Sequence, residues 1–468
     1  MRGLTSTIAL VVVLAGLGAY IYFVDAKRPA PGIDGGAAKE KVFALAADDV
    51  EEFALTFEGE KSLLRKTEGG WQMIEPTPTE ADPPEAVSVG QALANLELVR
   101  VVEENPKDLA QYGLEKPPIR VDFKAKNNVT GSLKLGDKNA TMGEIYAQKN
   151  DEKRVFLVSS FQETNFNRKP FDLRDKKILK FDGTKTDSLS IARGAESIEL
   201  ARAGSEWKVV KPTAARSDYS TVEGLLTRLS SSNMSKLLET DAKDLAKYGL
   251  DEPEMTITVG AGSAKTVLQV GKTENDQTYA KDASRPLVFT VDTTLQADLK
   301  KGLDEYRKKE LFEFRPFYLA RLRAVLDAPG GPKTYEFEKV KAEKPADAEG
   351  WKVTRVGGEA TSADPAAMDD LLNKLVAIKA ESWADAKAKT GIEKPALVVS
   401  ASYDEGKFER VRFGQVGDNA FGARDGEAGV AKIDKTSMEG AMLAFDTVVM
   451  PPKPPATPAA PDKAGDKK

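Results

Sequence analysis

The string DLAQYGLEKP at residues 108–117 returns as DLAKYGLDEP at 244–253 and, in a weaker form, as AKAKTGIEKP at 386–395. In every copy a Gly is followed four positions later by a Pro. A Gly at this position takes the left-handed conformation that ends a helix, and the Pro prevents the helix from continuing. The string therefore predicts a short helical turn that stops sharply, three times along the chain.

A Trp lies ahead of each string, within GGWQMIEP, SEWKVVKP and EGWKVTRV. Trp71 and Trp207 are 136 residues apart, which is also the distance between Tyr112 and Tyr248. Trp207 and Trp351 are 144 residues apart. Landmarks at matched offsets are typical of internal repeats. They predict three tandem copies of one structural unit.

Each copy has the same order of local patterns. Alternating strands lead to the Trp, an amphipathic helix follows, and further strands come after the Gly turn. The apolar residues of the predicted helices are Ala86, Val89, Leu93 and Leu96, then Val222, Leu225, Leu226 and Leu229, then Met368, Leu371, Leu372 and Leu375. Their helical spacing indicates a face packed on a sheet. We predict an α+β fold of three β-rich repeats, each an antiparallel hairpin sheet with one packed helix.

Two local predictions complete the repeat. Gly136, Gly271 and Gly414 each follow a strand pattern, so we expect hairpin turns at these glycines. The first two copies close with LRDKKIL at 173–179 and YRKKELF at 306–312, which we interpret as helices with solvated cationic ends. The third copy has FDTVVM instead, and terminal repeats commonly depart from the consensus.

The repeat divides the chain into six parts. We predict a transmembrane anchor at 1–25, a linker at 26–42, repeats at 43–180, 181–314 and 315–450, and a disordered tail rich in Pro, Ala and Lys at 451–468.

The anchor prediction rests on residues 3–24, which carry no charge. As a helix rising about 1.5 Å per residue, this segment would span roughly 33 Å, close to the hydrocarbon thickness of a bilayer. Tyr20, Tyr22 and Phe23 lie near its end, where a cleaved signal peptide has small residues. We predict an uncleaved, single-pass helix in the inner membrane with the bulk of the chain outside the cytoplasm. A cleaved signal peptide is the alternative.

Composition excludes several kinds of chemistry. The 468 residues include no His and no Cys, so disulfides, thiol nucleophiles, Ser-His-Asp triads and Cys/His zinc sites are ruled out. Lys plus Arg number 68 against 73 for Asp plus Glu, a net charge of −5, and nucleic-acid binders usually carry a basic excess. We expect no nucleic-acid partner, no metal and no cofactor.

The remaining motifs favour structure over catalysis. Gly271-Lys272-Thr273 lacks the earlier Gly of a phosphate-binding loop, so we expect no nucleotide site. Adjacent carboxylates point in different directions on either a strand or a helix, which indicates solvated edges rather than catalytic pairs. These clusters are Asp48-Asp49, Glu51-Glu52, Glu103-Glu104 and Asp369-Asp370. We therefore assign no catalytic residue.

The recurring aromatic residues leave two interpretations each. Tyr112 and Tyr248 could pair with the Asp four residues earlier, Asp108 and Asp244, or pack on their sheet. The three Trp residues could stack on sugars or pack in the core, and their recurrence within a strand pattern favours the core. Residues that recur in every copy are typical of fold determinants.

The chain resembles the bacterial family called domain of unknown function 4340. The resemblance rests on the Trp strand that ends in Pro, the D-L-x-x-Y-G-L-x-x-P turn and the L-R-D-K closing segment. It covers residues 43–312 well and the third copy weakly, since Thr390 replaces the Tyr. It implies an envelope-anchored protein, often in the genomic company of ABC-type export components similar to those of gliding motility. No catalytic residue comes with it.

These observations favour a membrane-anchored, non-enzymatic scaffold or binding protein of the bacterial cell envelope, with envelope proteins such as ABC-type transporter subunits as partners. An envelope glycan-acting enzyme is the alternative from another class, and it would need two facing carboxylates less than about 10 Å apart. A module that binds a small solute between repeats is a further alternative, which would need an enclosed pocket.

Overall fold

A computed structural model of the chain describes residues 40–340, 350–355, 357–404 and 406–449. The predicted anchor at 1–25 and tail at 451–468, and most of the predicted linker, lie outside the described residues. Among the residues that are described, no helix has the length and apolar character needed to cross a bilayer.

The described strands form three nine-stranded antiparallel sheets, so the prediction of three β-rich repeats is confirmed. The first sheet contains β1 (Val50–Phe57), β2 (Glu60–Thr67), β3 (Gly70–Glu75), β4 (Thr79–Glu80), β5 (Arg100–Glu103), β6 (Ile119–Ala125), β7 (Thr130–Lys138), β8 (Glu144–Lys149) and β9 (Val155–Ser159). Its strands lie in the order β4-β3-β2-β1-β6-β7-β8-β9-β5. The strand that follows the first helix therefore returns to the far edge of the sheet.

The other two sheets repeat this order strand for strand. The second contains β10 (Ser188–Arg193), β11 (Glu196–Ala203), β12 (Glu206–Lys211), β13 (Ala215–Arg216), β14 (Lys236–Glu239), β15 (Met255–Ala261), β16 (Ala264–Glu274), β17 (Gln277–Asp282) and β18 (Val288–Val291). The third contains β19 (Leu319–Leu326), β20 (Lys333–Val340), β21 (Gly350–Arg355), β22 (Ala360–Ser362), β23 (Ala380–Trp383), β24 (Leu397–Tyr403), β25 (Lys407–Val416), β26 (Asn419–Arg424) and β27 (Ala431–Ile433).

The described helices are α1 (Pro83–Ala94), α2 (Glu163–Phe166), α3 (Pro170–Leu173), α4 (Tyr219–Ser231), α5 (Thr293–Leu299), α6 (Leu303–Tyr306), α7 (Pro365–Ala377) and α8 (Lys435–Val449). The predicted amphipathic helices are α1, α4 and α7. An Asp caps each of them by accepting a hydrogen bond from a backbone N–H three residues later. Their predicted apolar residues are buried, and Leu96, which lies beyond the end of α1, is buried as well.

The Gly turn adopts the predicted conformation. Gly113 has φ of 68° and Gly249 has φ of 64°, each directly after a single 3-10 turn, and Gly391 has φ of 73°. This left-handed conformation costs a glycine little, because it has no Cβ. The turn ends where the sequence predicts.

The prediction of hairpin turns at Gly136, Gly271 and Gly414 is wrong, because these glycines lie inside β7, β16 and β25. Each lies against the backbone of its own Gly turn. An added Cβ would come within 3.0 Å of the carbonyl oxygen of Tyr112, Tyr248 or Thr390, respectively. The strand needs a glycine for this close approach, not for a change of direction.

The cationic closing segments are extended rather than helical. Helix α3 ends at Leu173 and α6 at Tyr306, and the next residues, Arg174 and Arg307, have extended backbones. Arg174 forms an isolated β-bridge with Ala81. Arg307 forms the equivalent bridge with Ser217. Because this backbone pairs with neighbouring strands, the segment cannot continue as a helix. In the third copy, residues 445–449 of the corresponding FDTVVM string are the end of helix α8.

The chain divides into two compact units between Lys176 and Lys177, and the second unit contains both the second and third sheets. An ion network joins these two repeats. Arg216, at the end of β13, binds Glu427 in the loop after β26. It also lies 3.0 Å from Glu313 in the connecting segment, the stretch of chain between α6 and β19. Glu313 also accepts a hydrogen bond from Lys308.

Two further arginines strengthen this junction. The Arg307 guanidinium lies 3.2 Å from the centre of the Trp383 ring and donates to the carbonyl of Ala428. Arg424 binds Glu409, whose buried carboxylate accepts backbone N–H groups of the connecting segment at Glu313 and Phe314. The connecting segment is thus held by side chains of the third repeat.

The glycine contact gives a first prediction. Replacing Gly271 by Ala places a methyl group against the Tyr248 carbonyl, so we expect the free energy of unfolding to fall by about 1–3 kcal/mol. Gly224, exposed within α4 with no heavy atom within 4 Å of an added Cβ, is the matched control. Gly224→Ala should raise stability by about 0.5–1 kcal/mol. Urea unfolding measures both, and equal effects would contradict the proposed contact.

The junction gives a prediction about pH. Burial raises the pKa of Glu313, but hydrogen bonds from Lys308 and Arg216 outweigh burial and lower its pKa from 4.5 to about 2. Because the folded value lies below the unfolded value, Glu313 stabilises the fold fully above pH 4.5. This contribution is lost as the pH falls toward about 2.

Glu313→Gln should therefore lower stability at neutral pH and flatten its decline below pH 4.5, as measured by urea unfolding across an acid titration. Glu338→Gln is the control, since Glu338 belongs to an exposed ion pair with Arg321. If the free energy of unfolding falls equally steeply with acid in the wild type and in the Glu313 variant, this carboxylate is not the cause of the acid sensitivity.

Candidate binding face of the third sheet

Each sheet has one buried face and one open face, because side chains alternate along a strand. In β19, Leu322 and Ala324 point into the core, whereas Arg321 and Arg323 are exposed on the opposite face. The helices cover the buried face. The open face is therefore free to vary without disturbing the core.

The open face of the third sheet forms a trough of about 440 Å³. Its charged side chains are Arg321, Arg323, Glu336, Glu338, Lys352 and Arg410. Ser400, Ser402 and Thr354 contribute hydroxyl groups, and Phe408 contributes an aromatic ring. The trough thus combines cations, hydroxyls and an apolar ring carried on five strands of the sheet.

The charge of this trough is positive. Four cations face two carboxylates, which gives +2 in a chain whose net charge is −5. Arg321 pairs with Glu338 at 2.8 Å, and Arg323 pairs with Glu336 at 3.2 Å. All four side chains are more than half exposed, and such pairs typically contribute at most about 1 kcal/mol. These arginines are therefore weakly held.

Exposed aromatic rings lie at one end of the same sheet. Phe408 is 58% exposed and has the Arg410 guanidinium 5.6 Å from its ring centre. Phe317 and Tyr318 are 74% and 52% exposed and contact each other edge to face at 5.1 Å. They form the turn that leads into β19, whose first residue pairs with the last residue of β24, Tyr403.

The equivalent positions in the other repeats hold different residues. The turn before the first strand contains Asp48-Asp49 in the first repeat and Thr184-Lys185 in the second. The trough of the first sheet, about 590 Å³, is lined by three carboxylates and two cations, a charge of −1. These residues are Glu52, Asp122, Asp151, Arg120 and Lys124. A basic trough with aromatic rings at its end distinguishes the third sheet from the first.

The acidic clusters of the sequence form ion pairs or hydrogen bonds with different groups. Asp49 binds Lys126, Glu52 binds Arg65, and Asp370 binds Lys374. Within the described ranges, no three Asp or Glu residues are grouped in a way that could hold a metal ion.

Two partly buried or buried carboxylates meet at the junction, where Glu313 and Glu409 both contact Arg424. The low pKa of Glu313 keeps that carboxylate ionised. A general acid needs the opposite shift.

The two tyrosines have partners that the sequence interpretation missed. Tyr112 donates to Glu103 at 2.8 Å and Tyr248 donates to Glu239 at 2.6 Å, rather than to Asp108 and Asp244. The hydrogen bond to Glu103 raises the pKa of Tyr112. Each Glu belongs to the strand that returns to the far edge of its sheet, so the pair ties the Gly turn to that edge.

The tryptophans occupy structural positions. Trp71 and Trp207 are buried, and Trp351 is partly buried against the third core. The Trp207 indole donates to Glu223 of α4 at 2.7 Å, which joins the Trp strand to the helix. Core packing, the favoured interpretation, is confirmed.

Gly271-Lys272-Thr273 lies in β16, where Lys272 binds Glu274, so it is not a phosphate-binding loop.

The strand order shared by the three sheets defines this molecule as a tandem repeat protein built from three copies of one nine-stranded sheet unit. The chain belongs to the family described as Domain of unknown function (DUF4340), whose profile matches residues 71–208 and 207–396. A search of the curated proteins finds no match to this chain. Membership confirms the family resemblance and adds no activity.

The sequence does contain a signal for this face, but the signal is a difference between aligned copies and not a motif. Aligning the copies by their strands places Arg323 where the first repeat has Ala54, and Phe408 where it has Thr130. Arg410 likewise corresponds to Ser132. Differences between copies, rather than shared residues, mark the candidate site.

This alignment gives a stability prediction. A triple variant, Arg323→Ala with Phe408→Thr and Arg410→Ser, installs residues that the same fold already carries in the first repeat. We expect each change to alter the free energy of unfolding by less than about 0.5 kcal/mol, because the side chains are exposed. Urea unfolding of the full chain measures the effect. A loss of several kcal/mol would mean that these residues serve the fold rather than recognition.

Proposed function

We propose that this chain is a non-enzymatic, membrane-anchored scaffold that binds other proteins of the bacterial cell envelope. The observation that carries the proposal is the contrast between the repeats' interiors and their open faces. Trp, Gly and apolar helix residues recur at matched positions, whereas the open faces of the first and third sheets carry opposite net charge. Repeats of this kind commonly present extended binding surfaces.

Contacts between the two repeats of the second compact unit support this role. The second and third sheets are joined by Arg216, Arg307 and Arg424, each of which contacts a carboxylate, a backbone carbonyl or an aromatic ring across the junction. Buried charged pairs of this kind restrict the geometry of an interface. A scaffold that holds two faces in a fixed arrangement can engage a partner at both without the cost of ordering them.

The membrane placement is supported by the uncharged segment at residues 3–24 and its terminal aromatic residues. A single N-terminal anchor would leave the three repeats on the outer side of the inner membrane. The choice of partner follows the family resemblance, which implies proximity to ABC-type export components. Transporter subunits are therefore the partners that this proposal names.

Affinity purification of the tagged full-length chain from detergent-solubilised membranes tests this function. We expect subunits of an ABC-type transporter to co-purify in a fixed ratio, and a tag on the captured subunit to recover the chain in return. A different single-pass protein with the same tag is the control. Recovery of no partner, in particular of no transporter subunit after chemical cross-linking, would contradict the scaffold role.

A further inference from the structure

We propose that the trough on the open face of the third sheet binds an acidic segment of a partner protein. Its cations would engage carboxylates, and the rings of Phe408, Phe317 and Tyr318 would contact neighbouring apolar side chains. This inference rests on the proposed scaffold function and specifies where, and by what chemistry, one partner docks.

Charge supports an anionic occupant. Arg321, Arg323, Lys352 and Arg410 outnumber the two carboxylates of the trough. The present pairs of Arg321 and Arg323 with Glu338 and Glu336 are exposed, so exchange for a partner's carboxylates costs little. A guanidinium carries five N–H donors in a planar fork that matches a carboxylate. Arg323 contacts Glu336 through Nε and can offer its other nitrogens to a second carboxylate.

The aromatic rings support a protein rather than a lipid or a sugar. Phe, Tyr and Arg are enriched in the centres of protein interfaces. Phe408 lines the trough beside Arg410, and the exposed Phe317 and Tyr318 lie in the turn at the same end of the sheet. Cations already lie over two of the rings, Arg410 over Phe408 and Lys339 over Phe317. One face of each ring is therefore occupied, which leaves it a poorer stacking platform for a sugar.

The shape of the face points the same way. The cations lie along the strands of a trough of about 440 Å³, within the roughly 300–1,000 Å³ of typical ligand sites. A few side chains of an extended segment fit such a volume. A bilayer surface is flat over this distance and would contact the rim before the floor.

Binding of synthetic polymers to the purified full-length chain in detergent tests the site. We expect poly-L-glutamate to bind with an affinity that falls as salt increases. A copolymer of glutamate and tyrosine should bind more tightly, because its rings can contact the aromatic end. Fluorescence anisotropy of labelled polymers gives the dissociation constants.

The triple variant Arg323→Ala, Phe408→Thr, Arg410→Ser should weaken binding of the copolymer at least about tenfold, since it removes two cations and a ring. Phe408→Thr alone should remove the preference for the copolymer over poly-L-glutamate. The matched control is Arg120→Val with Lys124→Ser, which places third-repeat residues in the trough of the first sheet and also removes two cations. This control should bind as the wild type does.

Three outcomes would overturn the proposal. One is equal binding by the wild type and the triple variant, and a second is an equal loss in the control variant. The third is tighter, variant-sensitive binding of alginate or of phosphatidylglycerol vesicles than of the copolymer, which would assign the trough to a polyuronate or to a membrane surface.

Failure here is distinguishable from failure of the scaffold role. If the wild type and the triple variant capture the same transporter subunit equally well, the scaffold stands and the docking site lies elsewhere. If the wild type captures no partner but binds the copolymer, the trough stands as an anion site and the scaffold role fails.

Discussion

The fold of every repeat depends on one close approach between backbones. The Gly turn places a carbonyl oxygen against a strand in the middle of its sheet, and the strand has a glycine there because no Cβ fits. Gly136, Gly271 and Gly414 therefore fix where the turn lies on the sheet. The strand that leads into the turn is thereby held at the far edge, next to β9, β18 or β27.

The third repeat keeps this approach but changes the residues around it. Copies one and two pair Tyr112 with Glu103 and Tyr248 with Glu239. The third copy has Thr390 in place of the Tyr, and strand register places Trp383 of its edge strand where the first copy has Val101. Trp383 instead receives the guanidinium of Arg307 from the preceding repeat. The edge strand of the third copy thus contacts the preceding repeat, and its Gly turn has no Tyr to pair with that strand.

Much of this architecture was predictable from the sequence, because it depends on spacing. Matched offsets of Trp, Gly and Pro predicted the three copies. Helical periodicity predicted α1, α4 and α7 and the residues that they bury. The errors arose where one residue type serves two purposes. A glycine can permit a turn or a close contact, and only the position of the Tyr248 carbonyl shows that Gly271 does the second. Likewise, the cations after Leu173 and Tyr306 resemble a helix end, yet their backbone pairs with strands.

The sequence by itself determined the number of repeats and the class of fold. It also determined which kinds of chemistry are excluded, because the chain has no His and no Cys. These follow from local periodicity and composition, which act over a few residues. Only the tertiary structure decided which side chains share a face. Arg321, Lys352 and Arg410 are far apart in the chain and on three different strands, and sheet order alone brings them into one trough. Strand pairing is a long-range property, so a candidate site made from several strands cannot be found from local pattern.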